Sequence, residues 1–168
     1  MSITDNADDV FDALFHQYEL PICSYLARMT GNVPRAQELT QETFIRAYRA
    51  LLRGEEWSNP RAWLYRVASR LATDDYRRRK LVEWLPLSAT EQNSTPDVET
   101  VVIKRISIQN ALDALPPKYR IPLVLYDYVG YSVSEIAQML GLSASGVKTR
   151  LSRARKKFRQ AYESEEVA

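Results

Sequence analysis

The amino-acid sequence predicts an all-α protein with two small helical domains joined by an extended linker. Apolar residues recur at steps of three and four along most of the chain, which is helical spacing, and no strand pattern stands out. Residues 81–103 break this spacing with many Pro, Ser, Thr and acidic residues and no basic residue. We therefore predict a first domain over residues 1–80, a flexible acidic linker over residues 81–103 and a second domain over residues 104–168.

The composition excludes several classes of protein. With 168 residues, 45% of them hydrophobic, the chain has ample apolar material for packed cores. The start, MSITDNADDV, lacks the positive charge and apolar run of a signal peptide, and no segment approaches the roughly 20 apolar residues of a membrane span. We expect a cytoplasmic protein without membrane insertion. Because His16 and Cys23 are the only residues of their types, we expect no disulfide, no zinc cluster and no Cys-His or Ser-His-Asp site with several His positions. We also expect no bound metal, no cofactor and no catalytic residues.

Three helices are predicted in the first domain. The first is expected to kink or restart at Pro21 and to end at Gly31. Asn32 suits the start of the second helix, which Gly54 stops, and the third is expected over about residues 60–80. Helices of this length joined by short loops favour a bundle. The predicted inner faces consist of Phe11, Leu14, Phe15, Tyr18, Ile22, Tyr25, Leu26 and Met29, then Ala36, Leu39, Thr40, Phe44, Ala47, Tyr48 and Leu51, then Trp63, Leu64, Val67 and Leu71.

The second domain is predicted to begin with two helices, one ending at Pro116 and one running to Gly130 with Pro122 near its first turns. Ser132 and Glu135 then have the spacing of a capping box, in which the Ser side chain caps a helix start and the Glu side chain reaches back to the cap amide. A short helix is therefore expected after Ser132.

A sharp turn should connect that short helix to the closing helix of the chain. Gly141 permits the turn, Leu142 fills its corner and Ser143 can cap the closing helix. The apolar face of the closing helix, at steps of four, three and four, consists of Val147, Leu151, Ala154 and Phe158. This is a helix-turn-helix pattern.

Seven basic residues and no acidic residue lie in the stretch SASGVKTRLSRARKKFRQAY, residues 143–162. A basic helical face is often only a solvated surface, but the preceding cap, glycine turn and apolar register favour insertion into the major groove of DNA, about 12 Å wide. The early residues are placed to approach base edges and the later ones to hold phosphates. The predicted DNA-binding set is Ser145, Lys148, Thr149, Ser152, Arg153, Arg155 and Lys156.

Three stretches of the chain resemble parts of bacterial sigma factors. Residues 111–159, ALDALPPKYRIPLVLYDYVGYSVSEIAQMLGLSASGVKTRLSRARKKFR, resemble the fourth region, which reads the minus-thirty-five promoter element. Residues 38–52, ELTQETFIRAYRALL, resemble the second-region helix that grips the beta-prime clamp of RNA polymerase. Residues 59–80, NPRAWLYRVASRLATDDYRRRK, resemble the adjoining part that opens the minus-ten element. The order of these regions is similar to that of the extracytoplasmic function class, which implies a second-region helical bundle and a fourth-region helix-turn-helix domain.

The resemblance also implies roles for residues of the first domain. Glu38, Gln41 and Glu42 match the core-binding motif, written Glu-Leu-Thr-Gln-Glu here and Asp-Leu-Val-Gln-Glu in the family. The residues that match the minus-ten segment or would meet phosphates beside it are Asn59, Arg61, Trp63, Arg66, Arg77, Arg78 and Arg79. Core packing explains Trp63 equally well. The linker is either a flexible tether or a segment that threads the polymerase near the RNA path, and both interpretations stay open.

The partners implied by the resemblance are core RNA polymerase, through its beta-prime clamp and beta flap, promoter DNA, and an anti-sigma factor that covers the same faces. A different interpretation is a stand-alone helix-turn-helix regulator whose first domain dimerises or senses a signal. A helical hydrolase or nuclease would need the carboxylate pairs Asp74-Asp75 or Glu55-Glu56, but adjacent side chains on a helix diverge and make poor metal sites. The sequence favours a sigma factor that performs no covalent chemistry.

Overall fold

The structure is a computed structural model that describes the backbone of residues 3–84 and 101–166 and the side chains of residues 6–84 and 106–164. The described residues form seven α-helices and no strand, which confirms the all-α prediction. They are α1 (Ile3–Thr30), α2 (Val33–Leu52), α3 (Pro60–Glu83), α4 (Val101–Asp113), α5 (Pro117–Val124), α6 (Val133–Leu140) and α7 (Ala144–Glu166). Among the helices of these ranges, none is both long enough and apolar enough to cross a membrane.

Helices α1, α2 and α3 pack as a bundle around buried apolar side chains. Ile22, Tyr25 and Leu26 of α1 are fully buried, as is Leu64 of α3. The Tyr25 hydroxyl lies 2.8 Å from the Ser69 hydroxyl of α3, so the one polar group of that ring is paired where water cannot reach it. Burial also raises the pKa of Tyr25 well above its ordinary value. Residues from the predicted inner faces of these helices therefore form the buried core of the bundle.

The ends of α1 and α2 follow the signals in the sequence, with one exception. Asn32 caps α2, since its Oδ1 accepts a hydrogen bond from the Arg35 amide at 2.9 Å, and Gly31 takes the left-handed conformation with φ 65°. Of the two outcomes expected at Pro21, the start of a new helix is wrong, because α1 runs unbroken through this residue. Pro21 is exposed, so the carbonyl that its missing amide leaves without a donor can bond water instead.

The second half of the chain folds as a small helical domain. Helix α5 contains Pro122 in its second turn and continues into a π-helical turn, Leu125–Val129, that ends at Gly130 with φ 90°. Helix α7 lies against α4, α5 and α6 with Val147, Leu151 and Ala154 buried, as predicted. The segment predicted as a linker is entered by helix at both ends, because α3 continues to Glu83 and α4 begins at Val101. Residues 85–100 lie outside the described residues.

The two halves pack directly against each other, which the sequence did not predict. The C-terminal end of α1 contacts α4 and α5, and α3 contacts α5 and α6. The buried apolar side chains of both halves join in one cluster, with Tyr65 of α3 and Tyr131 beside α6 in edge-to-face contact at 5.6 Å between ring centroids.

Candidate nucleic-acid interface

The turn that orients α7 is built as the sequence predicts. The Glu135 amide donates to Ser132 Oγ at 3.2 Å and the Ser132 amide donates to Glu135 Oε2 at 2.7 Å, which completes the capping box of α6. These bonds hold the pKa of Glu135 below its ordinary value. Gly141 ends α6 with φ 65°, and Ser143 Oγ accepts a hydrogen bond from the Gly146 amide at 3.0 Å to cap α7. These contacts fix the turn between α6 and α7, and so they fix the direction in which α7 begins.

Most residues of the predicted DNA-binding set lie exposed on α7. Lys148, Ser152 and Lys156 line one open groove along the helix. The Thr149 hydroxyl donates to the Ser145 carbonyl at 2.9 Å, which leaves its oxygen able to accept, and the Ser145 and Ser143 hydroxyls lie 3.1 Å apart. This face carries the positive charge and hydroxyl groups that phosphates and base edges require.

Two arginines of that set have partners inside their own domain. Arg155 Nη2 lies 3.0 Å from Asp127 Oδ1 on the π-helical turn, and its guanidinium stands over the Tyr126 ring at 5.2 Å from the centroid. The side chain of Arg153 interacts with Tyr119, and this contact lowers the pKa of the Tyr119 hydroxyl. The structure thus gives Arg155 contacts within its own domain, which join the π-helical turn to α7.

Helix α2 exposes a polar face beside the bundle. Gln41 is exposed, Glu42 pairs with Arg46 at 2.8 Å, and Glu38 pairs with Arg35. Arg35 in turn reaches the buried carboxylate of Asp75 on α3 at 2.7 Å. The three predicted core-binding residues therefore share one open helix face.

The same face carries two exposed apolar residues that the sequence interpretation missed. Ile45 is 44% exposed and Leu52 is 42% exposed, although both are large aliphatic side chains. A signal for Ile45 was available, because it follows Gln41 by four residues and so lies on the same side of the helix. These two side chains add exposed apolar area to the polar face of α2.

The loop before α3 and the first turns of α3 bring aromatic and basic residues together. Asn59 caps α3, since its Oδ1 accepts a hydrogen bond from the Ala62 amide at 2.9 Å. Trp63 stacks on Trp57 with 4.3 Å between ring centroids and 25° between planes. Trp57 was not among the predicted site residues, although it lies in the quoted loop GEEWSNP. Both rings are half-buried and pack against the core, so core packing is one role of Trp63, and the pair also leaves part of a flat aromatic surface at the edge of the bundle.

Arg61 and Arg66 of α3 face the second domain rather than open solvent. Arg61 Nη2 donates to the Val129 carbonyl at 3.2 Å, and its guanidinium stands 4.6 Å from the centroid of the Tyr131 ring. An open crevice of about 300 Å³ separates this part of α3 from α6. Its walls include Trp57, Asn59, Trp63 and Arg66 on one side and Tyr131, Glu135, Gln138 and Met139 on the other.

All four residues of the basic run at the end of α3 are exposed, and two of them pair with carboxylates. Arg77 and Arg78 are exposed. Arg79 Nε lies 3.0 Å from Asp75 Oδ2, and Lys80 Nζ lies 3.0 Å from Glu83 Oε2. Asp75 is thus a structural carboxylate, 4% exposed between two arginines, and not half of a metal-binding pair with Asp74.

Comparison with known proteins identifies both halves of the chain. The family described as sigma-70 region 2 matches residues 14–82, and the family described as sigma-70, region 4 matches residues 105–158. The ECF RNA polymerase sigma factor SigL of Mycobacterium tuberculosis is 32% identical over 143 residues, which cover 83% of this chain and 81% of that protein. The RNA polymerase sigma factor SigZ of Bacillus subtilis is 31% identical over 164 residues, covering 94% and 88%.

Solved structures share the fold. The sigma factor RpoE from Bartonella quintana, in complex with the anti-sigma factor NepR, superposes with a TM-score of 0.74 at 20% identity, covering 91% of this chain and 96% of that one. CnrH, in complex with the cytosolic domain of CnrY, superposes with a TM-score of 0.70 at 24% identity, covering 96% of each chain.

Proposed function

Because the chain belongs to the extracytoplasmic function class of sigma-70 factors and therefore acts as an alternative sigma factor in transcription initiation, we propose that it does so through three separate surfaces. The surfaces are the open face of α2, the basic face of α7 and the first turns of α3. The observation that carries this proposal is that one chain holds, in this order, an exposed polar and apolar face on α2 and an exposed basic recognition helix. Two domains, residues 1–80 and 104–168, present them.

The face of α2 binds core RNA polymerase at the beta-prime clamp. The polar contacts come from Glu38, Gln41 and Glu42. The apolar area that the partner buries comes from Ile45 and Leu52. The Glu42–Arg46 pair already lies on the exposed helix face, so it can exchange partners with polymerase side chains at little cost in free energy. The second domain binds the beta flap.

The basic face of α7 reads the minus-thirty-five element in the major groove. The capping box of α6 and the left-handed Gly141 orient the first turns of α7, where Lys148, Thr149 and Ser152 are exposed. Contacts from early residues specify sequence, and contacts from Lys156 to phosphate fix position.

The start of α3 opens the minus-ten element. The Trp57–Trp63 stack offers a surface on which an unpaired base can lie, and Arg61, Arg66 and Arg77 supply positive charge along the helix. The protein itself breaks no covalent bond. It acts in the cytoplasm, where polymerase is, and an anti-sigma factor restrains it by covering these surfaces.

The test is complex formation with core RNA polymerase. The wild-type chain should co-elute with bacterial core enzyme in size-exclusion chromatography, and Gln41→Ala with Glu42→Ala should weaken co-elution because both side chains lie on the α2 face. The matched control is Gln17→Ala with Glu19→Ala, which removes the same side-chain types from exposed positions of α1. Salt-sensitive binding of the chain alone to one DNA site, with no polymerase complex, would instead favour the stand-alone regulator.

A further inference from the structure

We propose that Asp75 is a positioning residue of the polymerase-binding face, because it anchors Arg35 and Arg35 in turn holds Glu38. Asp75 lies on α3 and is buried, so it acts through Arg35 and does not itself touch polymerase. The inference rests on the proposed function, which assigns Glu38 to the surface of α2 that binds core RNA polymerase.

Arg35 lies in the first turn of α2, where its backbone is fixed. Its amide donates to Asn32 Oδ1 at 2.9 Å, which is the hydrogen bond that caps this helix. A guanidinium carries donors along more than one edge of a rigid plane, so it can hold two carboxylates at the same time. It does so here, because Arg35 Nε donates to Asp75 Oδ1 at 2.7 Å and Arg35 Nη1 donates to Glu38 Oε2. Asp75 thus sets the orientation of the plane that Glu38 meets.

Asp75 is the fixed end of this chain of contacts. Its side chain is 4% exposed, whereas that of Glu38 is 63% exposed. Arg79 Nε also lies 3.0 Å from Asp75 Oδ2, but this oxygen accepts no well-aligned hydrogen bond from the described residues. Arg35 therefore makes the directed contact to the carboxylate. Because a buried carboxylate that loses such a partner is costly, the contact stays formed in the folded protein.

The neighbouring ion pair on the same face is built differently. Arg46 Nε lies 2.8 Å from Glu42 Oε1, and both side chains are exposed, at 46% and 39%. Exposed pairs of this kind hold a side chain only weakly, because water competes for both charges and salt screens them. Arg35 differs because part of its guanidinium is tied to a buried carboxylate. Glu38 is therefore held more firmly than Glu42.

A side chain that is held in place before binding loses less freedom when a complex forms. Ordering one flexible side chain at an interface weakens affinity by about two- to tenfold. Asp75 spares Glu38 part of this cost, since Arg35 already fixes the glutamate on the helix surface. Arg35 meets Glu38 at Oε2, which leaves Oε1 for a donor on polymerase. The expected role of Asp75 is thus to prepare Glu38 for binding.

Two variants of the full chain test this role. Asp75→Asn keeps the shape of the side chain and removes its charge, so the hydrogen bond from Arg35 loses its charged acceptor. Arg35→Lys keeps the positive charge but lacks the planar fork that spans two carboxylates. The matched control is Asp74→Asn, which makes the same chemical change at the exposed neighbouring position of α3.

Two measurements are made on each variant. Displacement of a fluorescently labelled wild-type chain from core RNA polymerase gives the relative affinity, and urea denaturation gives the stability. Asp75→Asn and Arg35→Lys should each weaken binding to polymerase about fivefold, and Asp74→Asn should match the wild type.

A double-variant cycle with Glu38 separates positioning from stability. Glu38→Gln should weaken binding to polymerase by itself. In the Glu38→Gln background, Asp75→Asn should cause no further loss of affinity, although it still lowers the urea midpoint, because Asp75 acts on polymerase only through Glu38.

The outcomes of this cycle distinguish the positioning role from the proposed function. An additive loss of affinity in the double variant, or wild-type affinity in Asp75→Asn or Arg35→Lys, would show that Asp75 only holds α2 against α3. The polymerase contact of Glu38 would then still stand. If Glu38→Gln itself binds like the wild type, Glu38 lies outside the interface, and both the positioning role and that part of the proposed function fail.

Discussion

Helices α3 and α7 share their length and their pattern of apolar and basic residues, but they differ in what surrounds the basic residues. Each is about the same length, with 24 and 23 residues, and each combines an apolar stripe with many arginines and lysines. The basic face of α7 opens to solvent along Lys148, Ser152 and Lys156, whereas the first turns of α3 face Tyr131 and α6 of the other domain. The charge pattern of a helix thus shows what it can bind, and only tertiary contacts show whether the surface is open.

The cause of this difference lies in residues next to the basic ones. In α3, Tyr65 adds a buried aromatic group one turn after Arg61, so α3 has apolar area for a second partner beyond the bundle. In α7 the buried side chains fall on one stripe only.

Removing Arg120 should weaken the contact between the two halves of the chain most strongly, because this side chain joins the end of α1 to the second domain. Its guanidinium, 3% exposed, donates to the carbonyls of Met29, Leu115 and Asp113 and pairs with the Asp113 carboxylate. Arg120→Ala leaves those acceptors unpaired and should lower the free energy of unfolding by about 3 kcal/mol. Urea denaturation measures it. Exposed Arg159→Ala is the control and should change stability by less than about 0.5 kcal/mol; an equal loss in both variants would contradict the bridging role.

Substitution of Gly141 should change the orientation of α7 relative to α6 and leave α2 unaffected. At φ 65° a β-carbon is strained by about 1 to 2 kcal/mol, and no atom lies within 4 Å of where it would stand, so the effect is of backbone origin. Gly141→Ala should lower stability by about 1 kcal/mol, and Gly141→Asn should lower it less because Asn tolerates this conformation. Thermal unfolding ranks the two variants. The reverse order would show that the turn is not fixed by its left-handed residue.

Removing Lys148 tests whether the exposed basic face of α7 can bind DNA in the free protein. Because Lys148 is exposed at the start of the helix, Lys148→Ala should reduce the slope of log affinity for duplex DNA against log salt by about one. Anisotropy titrations from low to moderate salt give the slope. Arg53→Ala, an exposed arginine paired with Glu55 at the end of α2, should leave it unchanged. A slope equal to wild type in Lys148→Ala would remove this residue from the interface.

The smallest effect concerns pH. Hydrogen bonds to Ser132 hold the pKa of Glu135 below its ordinary 4.5, so the folded state favours the carboxylate. The stability that this group adds is fully present above about pH 4.5 and is lost as pH falls through the folded pKa. The urea midpoint of the wild type should therefore lie above that of Glu135→Gln at pH 7, and the difference should shrink as the pH falls below about 4.5. A constant difference would show that the carboxylate charge has no role in the capping box.

Local signals in the sequence were sufficient for much of the fold. Asn32, Ser132 and Ser143 act on amides within three residues, and Gly141 acts through its own φ angle, so these features need no tertiary information. The four-three-four spacing of the stripe on α7 likewise reports a buried face directly.

The contacts between the domains could not be predicted in this way. Arg120 looks in the sequence like any solvated arginine, and its main acceptor, the Met29 carbonyl, lies 91 residues away. Arg61 and Arg155 have the charge expected for DNA contacts, but their partners Val129 and Asp127 are set by tertiary packing. Pairing over such distances leaves no periodic pattern, so a single sequence does not reveal it.

The most direct test measures the distance between the domains in the free and engaged protein. Spin labels at Gln17→Cys on α1 and Gln160→Cys on α7, in a chain carrying Cys23→Ser, occupy exposed positions and allow double electron–electron resonance. One short distance is expected in the free chain, where the two halves pack together, and a population tens of ångström longer is expected after addition of core RNA polymerase and promoter DNA, because the two domains then bind separate promoter elements. The same short distance in both states would contradict the proposal that the two domains read two separate promoter elements.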